Sequence, residues 1–270
     1  MQYSSVMVHV SPSEVASNRI ALAAELAERF AAVLIGIAAR PVNIQVFNEY
    51  GGLEDRVIKH ELNIAVAQIT DAERLFKRAA MGRNSLEWRS KIGRTTPFII
   101  EQARAADLIV IANDEGEAMR HGEFGIDPGE LLVQAGRPLL VVPAKATELS
   151  VNRALIAWKN TREARRSLRD SLPLLKEAEV SVIAVAEADD DPGLTDVCAY
   201  LGRHGIVAQA ILREGDDADA FDQILQAARE RDVDLIIAGG YGHRRTTEWL
   251  FGGVTRSLLG QWSGSCFLAH

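Results

Sequence analysis

The sequence predicts an α/β protein made of two consecutive, similar domains, each a doubly wound parallel sheet of five strands with helices on both faces. Three observations predict this fold class. Short apolar segments alternate with longer segments of helical periodicity, which is the pattern of a parallel sheet covered by helices. The order of these segments occurs twice. The length of 270 residues also suits two domains of about 135 residues each.

The two halves repeat each other with a difference in length. Residues 107–112 recur as residues 234–239, which is 127 positions later. The opening strands, residues 6–10 and 154–158, are instead 148 positions apart. The first half therefore carries 21 additional residues in its middle.

A polar stretch after Pro143 separates the two patterns, so we expect domains at residues 1–146 and 147–270. The last strands of the halves, residues 138–142 and 266–269, are then candidate sheet edges. We expect these edges to pair and to join the domains as a pseudo-dimer. A further homodimer of the whole chain is left open.

Periodicity assigns the individual elements. Ile20, Ala23 and Ala27 share one face of a helix, whereas Leu86 and Trp88 belong to an alternating strand. Strands are predicted at residues 6–10, 33–37, 85–92, 108–112 and 138–142, and again at 154–158, 180–185, 207–212, 235–238 and 266–269. Helices are predicted at 13–30, in a long region that ends near residue 76, and at 97–106, 129–135, 161–177, 191–204, 219–232 and 254–261. Right-handed crossovers then place any ligand beyond the carboxyl ends of the strands.

Composition excludes several classes of function. The 30 basic and 37 acidic residues give a net charge of −7, which argues against a nucleic-acid partner. Two cysteines cannot build a disulfide scaffold, and the histidines lack the spacing of metal ligands. No apolar run approaches the ~20 residues that span a bilayer. We therefore expect a cytoplasmic protein without a membrane or nucleic-acid partner and without a metal site built by its own side chains.

One segment of the second half has the composition of an anion-binding loop. It follows the strand at residues 235–238 and has glycines at both ends, with a histidine and three arginines nearby. Glycine lets backbone N–H groups approach an anion, and a helix start adds unpaired donors with a partial positive charge. A plain glycine turn followed by a helix entry explains the same composition equally well.

The first half serves as an internal control for this segment. Its equivalent residues, 113–130, contain six carboxylates, opposed by Arg120 with His121. Asp127 followed by Pro128 is typical of a helix N-cap and first helical position. The Asp127 carboxylate would occupy the place of an anion, so we expect no phosphate in the first half.

The second-half segment resembles the signature of the universal stress protein family, Gly-x2-Gly-x9-Gly followed by Ser or Thr. Gly239, Gly242 and Gly252 match it, and Gly253 stands in place of the hydroxyl residue. The order of strands and helices also resembles that family, as a tandem member. The resemblance implies a Rossmann-like fold of the adenine-nucleotide alpha-hydrolase type, with ATP phosphates held by backbone N–H groups around these glycines.

The sequence departs from the family at a second position. The resemblance implies an Asp at the end of the first strand, contacting the ribose or base, but Ser11 and Lys159 occupy the two equivalent positions. Lys159 either reaches a phosphate or is a solvated loop charge. Adenine is expected near Trp158 and Ala186. The candidate cofactor-binding residues are Gly239, Gly242, His243, Gly252, Gly253, Val254, Thr255, Trp158, Lys159 and Ala186.

These residues favour a universal stress response protein that binds ATP or another adenine nucleotide, with Mg²⁺ as a further candidate, in its C-terminal domain. The output is expected to be regulatory, because no acid–base pair or nucleophile constellation is visible and no catalytic residue is assigned. One alternative is a nucleotide-free interaction scaffold of the same fold. The other is a slow ATPase.

Overall fold

The computed structural model describes residues 2–42, 55–82, 85–113, 123–187, 192–216, 218–240 and 253–270. The first half contains strands β1 (Ser5–His9), β2 (Val33–Arg40), β3 (Leu86–Ile92), β4 (Leu108–Asn113) and β5 (Leu139–Pro143). Its helices are α1 (Val15–Arg29), α2 (Asp55–Ala79), α3 (Thr95–Gln102), which continues into a 3₁₀ turn at Ala103–Ala105, and α4 (Pro128–Gln134).

The second half repeats this order. Its strands are β6 (Arg153–Ala157), β7 (Glu179–Ala186), β8 (Ala208–Glu214), β9 (Leu235–Gly239) and β10 (Ser265–Ala269). Its helices are α5 (Arg162–Ser171), α6 (Leu194–Arg203), α7 (Ala220–Glu230) and α8 (Gly253–Gln261). The predicted alternation of strands and helices is confirmed, and residue 146 lies between β5 and β6.

The ten strands in the described part of the chain form one sheet in the order β3-β2-β1-β4-β5-β10-β9-β6-β7-β8. Each half contributes five parallel strands, as the sequence predicted. The halves join through an antiparallel pair of their last strands, in which Cys266, Phe267 and Leu268 lie opposite Val141, Leu140 and Leu139. The expected pairing of the two terminal strands is therefore confirmed, and it removes both edges from solvent.

The sheet is covered on both faces by helices from both halves. One apolar cluster contains residues of α1, α2, α5 and α6, such as Ile20, Phe76 and Leu168. The other contains residues of α3, α4, α7 and α8, such as Leu132 and Leu258. The central strands are buried on both faces, which is why they appear in the sequence as continuous apolar runs.

The repeat extends to the hydrogen bonds that begin each half. The Asp107 carboxylate accepts from the backbone N–H groups of Ser4 and Ser5 at 2.8 and 3.1 Å. The Asp234 carboxylate accepts in the same way from Asn152 and Arg153 at 2.8 and 2.9 Å. These two aspartates open the repeated segments at residues 107–112 and 234–239, so the repeat reflects a shared structural role.

Two helices differ in length from what the sequence periodicity predicted or left unspecified. The predicted helix over 161–177 ends at Ser171, because Pro173 has no backbone N–H with which to continue the helical hydrogen bonds. The additional residues of the first half lengthen α2 to 25 residues, whereas its counterpart α6 has 10. None of the described helices is long and apolar enough to cross a membrane.

Candidate functional site

The crevice of the second half lies where the chain changes direction across the sheet. β6 and β9 are neighbours, with Ala157 opposite Ala238, but β7 and β8 extend to one side and β10 to the other. In open α/β sheets, ligands bind beyond the carboxyl ends of strands at such a switch point. Trp158 and Lys159 follow β6 here, and Gly240 follows β9, so the topology brings the predicted residues to one edge.

The start of α8 is open at its first residue. Gly253 is exposed, and no described residue lies within 4 Å of the position that a Cβ would take. The first turn of α8 carries no acidic side chain. Val254 is half-buried and packs against the apolar cluster beneath the helix. The Thr255 side chain is buried, and its Oγ1 donates to the Gly239 carbonyl at 3.4 Å, which ties the helix to the end of β9.

Close packing explains two of the glycines that follow β9. A Cβ at Gly239 would lie 2.5 Å from the backbone nitrogen of Ala164, in the first turn of α5. A Cβ at Gly240 would lie 2.5 Å from Cδ2 of Leu132, which belongs to α4 of the other half. The Gly240 N–H also donates to the Ala269 carbonyl at 2.7 Å. The absence of a side chain is therefore required here whether or not a ligand binds.

The equivalent place in the first half is filled by a carboxylate, as the sequence predicted. Asp127 caps α4, and its Oδ1 accepts from the backbone N–H groups of Gly129 and Glu130 at 2.9 and 3.1 Å. The Asp127 N–H donates in turn to Thr96 Oγ1 at 2.8 Å. Donors that an anion would need at this helix start are thus already bonded within the chain.

Two buried arginines of the first half were not among the residues expected from the sequence. Arg40, at the end of β2, is 3% exposed and donates to Glu123, and this bond holds the pKa of the Glu123 carboxyl below its usual value. Arg19 is also buried and donates to the His9 carbonyl at 2.9 Å. This part of the first half is therefore not simply acidic, because Arg40 balances the carboxylate of Glu123, one of the described acids. The sequence feature that could have pointed to Arg40 is a basic residue at the end of an apolar strand.

The remaining described candidates line the crevice differently. The Trp158 side chain is buried and its Nε1 donates to the Pro192 carbonyl at 2.8 Å, toward α5 and α6. Lys159 is exposed, and its carbonyl accepts from the N–H of Thr161, the residue that caps α5. Ala186 is half-buried, with its carbonyl bonded to the Gly215 N–H at 3.1 Å.

Three candidates lie outside the described residues. Gly242, His243 and Gly252 belong to residues 241–252, as do two of the three arginines of the loop. The structure thus describes both ends of the glycine segment and the strand ends beside it. Cys266, at the other end of β10, is fully buried, and burial raises its pKa to about 12, as expected of an unreactive core thiol.

This geometry defines a class of protein, a tandem α/β protein whose two halves have equivalent crevices. The helix start at the first-half crevice is occupied by the Asp127 carboxylate, and the helix start at the second-half crevice is open at Gly253. Residues 144–267 match the model of the universal stress protein family. The C-terminal half is therefore a universal stress protein domain, and the family resemblance read in the sequence is confirmed. No curated protein matches the sequence.

Solved structures extend the likeness to the whole chain. A universal stress protein from Archaeoglobus fulgidus DSM 4304 superposes with a TM-score of 0.74 at 16% identity, covering 100% of this chain and 99% of that one. A functionally unknown protein from Pseudomonas aeruginosa PAO1 gives a TM-score of 0.61 at 16% identity, covering 99% and 92%. At these identities the likeness shows the fold, and it includes the N-terminal half.

Proposed function

We propose that this protein functions as a universal stress protein that binds an adenine nucleotide in its C-terminal half, and that the output is regulatory rather than catalytic. One observation carries the proposal. Of two equivalent helix starts, that of α4 is occupied by the Asp127 carboxylate, whereas that of α8 begins at an exposed glycine without an acid in its first turn. A helix start of the second kind attracts negative charge through its N–H groups and its dipole.

The proposal assigns phosphates to the backbone at Gly253 and Val254, together with Gly239, Gly242, His243 and Gly252. The Thr255 hydroxyl, which bonds to the Gly239 carbonyl, positions the helix against β9. The strand ends that carry Trp158, Lys159 and Ala186 are assigned to the adenosine portion. The protein is taken to act in the cytoplasm, with ATP as the first nucleotide to test.

The test places a carboxylate at the open helix start. Gly253→Asp is sterically allowed because the site of its Cβ is open. The added charge would repel a phosphate but would favour the helix, so folding is expected to be unchanged or slightly more stable. Calorimetric titration with ATP should give affinity at least tenfold weaker than wild type. Gly253→Asn, of equal size and without charge, is the matched control and should retain most of the affinity.

A result in which both variants bind ATP as wild type does would place the phosphates elsewhere. Mass spectrometry of nucleotide that co-purifies with the untreated wild-type protein gives a second, independent readout. A nucleotide recovered from wild type and lost from Gly253→Asp would agree with the calorimetry.

A specific observation favours a second candidate, a nucleotide-free interaction scaffold. Gly239 and Gly240 are already required by packing against α5 and α4, and Lys159 and Ser11 stand where the family has a carboxylate. No heat of binding at millimolar ATP would support this candidate. The slow ATPase requires phosphate release from wild type that Gly253→Asp abolishes.

A further inference from the structure

A cavity of about 340 Å³ lies between α5 and α6 in the second half. Its walls are mainly apolar and include Trp158, Leu168, Pro192, Val197 and Tyr200. The volume is at the lower end of the ~300–1,000 Å³ typical of small-molecule sites, which combine apolar walls with a few polar groups. The cavity is thus of a size and character that suit a small organic molecule.

The cavity lies on the other face of the sheet from the candidate phosphate site. Trp158, Leu168 and Val197 belong to the apolar cluster beneath α1, α2, α5 and α6. Leu258 of α8 belongs to the cluster on the opposite face, and Val254 packs against it. The cavity therefore lies on the opposite face of the sheet from the candidate phosphate site. It shares Trp158 with the strand ends that the proposed function assigns to adenosine, so competition between ATP and a ligand of the cavity decides whether the two sites are separate.

The cavity lies beside α6, the shorter of the two equivalent helices. In the first half, the 25-residue α2 supplies Ile69, Leu75 and Phe76 to the core shared with α1. In the second half, the 10-residue α6 supplies Leu194, Val197 and Leu201. A shorter helix covers less of its neighbour, so part of the apolar surface of α5 remains uncovered.

Among the described lining residues of the cavity, basic side chains outnumber acidic ones. Arg165 and Arg169, one turn apart on α5, line the cavity and are exposed, and Asp196 of α6 is the acidic group among the lining residues. Neither arginine forms an ion pair with any residue in the described part of the chain. Arg165 instead donates to the Asn160 side chain at 2.6 Å. The rim therefore offers guanidinium groups to a ligand.

A second, smaller hollow of about 110 Å³ continues the groove. It shares Arg169 and Tyr200 with the larger cavity and adds Lys176 and His204 to the basic groups. The Tyr200 and His204 rings pack edge to face, with centroids 4.7 Å apart. Arg169 thus stands between the two hollows, where an anionic group bound in either would meet it.

We propose that the α5–α6 cavity binds a small aromatic carboxylate. The rings of Trp158 and Tyr200, with Pro192, provide flat apolar walls for a ligand ring, and the hydrogen bond from Trp158 Nε1 to the Pro192 carbonyl fixes the indole in place. The carboxylate pairs with Arg169, because a planar guanidinium matches a carboxylate with two parallel hydrogen bonds.

Fluorine NMR on the full chain tests this with a matched pair of probes. 4-(Trifluoromethyl)benzoate carries the charge, and 4-(trifluoromethyl)benzamide has nearly the same shape without it. The benzoate should bind about tenfold more tightly than the benzamide, the difference expected of a charge-assisted hydrogen bond. Arg169→Gln should weaken the benzoate to the level of the benzamide and leave the benzamide unchanged. Equal affinity of wild type for both probes would overturn the proposal, as would no binding of either.

A variant that fills the cavity locates the site. Val197→Phe, on α6, should abolish benzoate binding while circular dichroism and thermal unfolding show a folded protein. Val15→Phe, the same change at a half-exposed position in the other half, is the matched control and should bind as wild type does. Benzoate binding that survives Val197→Phe would overturn the assignment. Displacement of the probe by ATP would overturn the claim of a separate site, and probe binding by Gly253→Asp as strong as in wild type would support it.

Discussion

Leu132 of the first half fills the space beside Gly240 of the second. Its Cδ2 lies 2.5 Å from the position that a Cβ at Gly240 would occupy, and the Leu132 side chain is almost completely buried. Side-chain hydrogen bonds also cross between the halves, among them those from Tyr3 Oη to the Asp170 carbonyl at 2.6 Å and from Asn113 Nδ2 to the Trp262 carbonyl at 3.2 Å. The halves are therefore packed together by side chains as well as by the β5–β10 pair.

Gly240→Ala should consequently destabilise the protein by forcing Leu132 to move. Overpacking of a filled core costs about 1–3 kcal/mol, and urea unfolding monitored by circular dichroism measures the loss. Leu132→Ala removes the obstructing atoms, so the double variant should be more stable than the sum of the two single losses predicts. Additive losses in this cycle would show that the two residues do not compete for the same space.

Gly239→Ala should be more damaging than Gly240→Ala. The new Cβ would meet backbone atoms of α5, with Ala164 N at 2.5 Å, and backbone cannot rotate away as a leucine side chain can. The matched control is Gly260→Ala, at an exposed position in α8 with open space around its Cβ among the described residues. That change should stabilise the helix by up to about 1 kcal/mol. Urea unfolding of the two variants should therefore shift in opposite directions.

Much of the fold could be predicted from the sequence because its signals are local and occur twice. Alternating apolar segments identified all ten strands, and the 127-residue offset identified the last strand of each half as equivalent. Predicting that the two sets of five strands join into one sheet required a further inference. Cys266–Ala269 and residues 138–142 had to be recognised as edges that pair with each other, which the problem of exposed strand edges suggested.

The candidate site was predicted less completely because its chemistry depends on contacts between distant segments. The Asp127 cap could be predicted, since an Asp followed by Pro is a local helix signal. The need for a glycine at position 239 could not be predicted. The atoms that a side chain there would meet belong to the backbone of α5, about 75 residues earlier in the sequence. The repeat revealed the difference in length between the halves, but the cavity beside Trp158 and the exposure of Arg169 on its rim required the folded structure.

Asp127→Ala should lower stability by removing the cap of α4. Two backbone N–H groups lose their acceptor, and the loss of such a cap costs about 0.5–2 kcal/mol. Asp127→Asn keeps an acceptor of the same length and is expected to be nearly as stable as wild type. Equal destabilisation by both changes would indicate that the negative charge matters more than the hydrogen bonds. Thermal unfolding at neutral pH separates these outcomes.

The buried His9 should make stability depend on pH. Burial, followed by the nearby Arg19 charge, lowers the pKa of His9 from 6.5 to about 3, although the Phe124 backbone partly offsets both. Between these two pH values the unfolded chain binds a proton that the folded protein does not. The free energy of unfolding should therefore fall as the pH is lowered from 6.5 toward 3, by about 1.4 kcal/mol per pH unit from this residue.

Urea unfolding at pH 7, 6 and 5 measures this slope, and His9→Leu removes its source. The variant should lose stability less steeply on acidification than wild type, because leucine fills a similar volume and takes up no proton. The Arg19 hydrogen bond is to the backbone carbonyl of residue 9 and survives the change. His60→Leu, at an exposed position on α2, is the matched control and should follow the wild-type slope. Parallel slopes for wild type and His9→Leu would mean that His9 takes up its proton in the folded protein, which would place its pKa near that of an ordinary histidine.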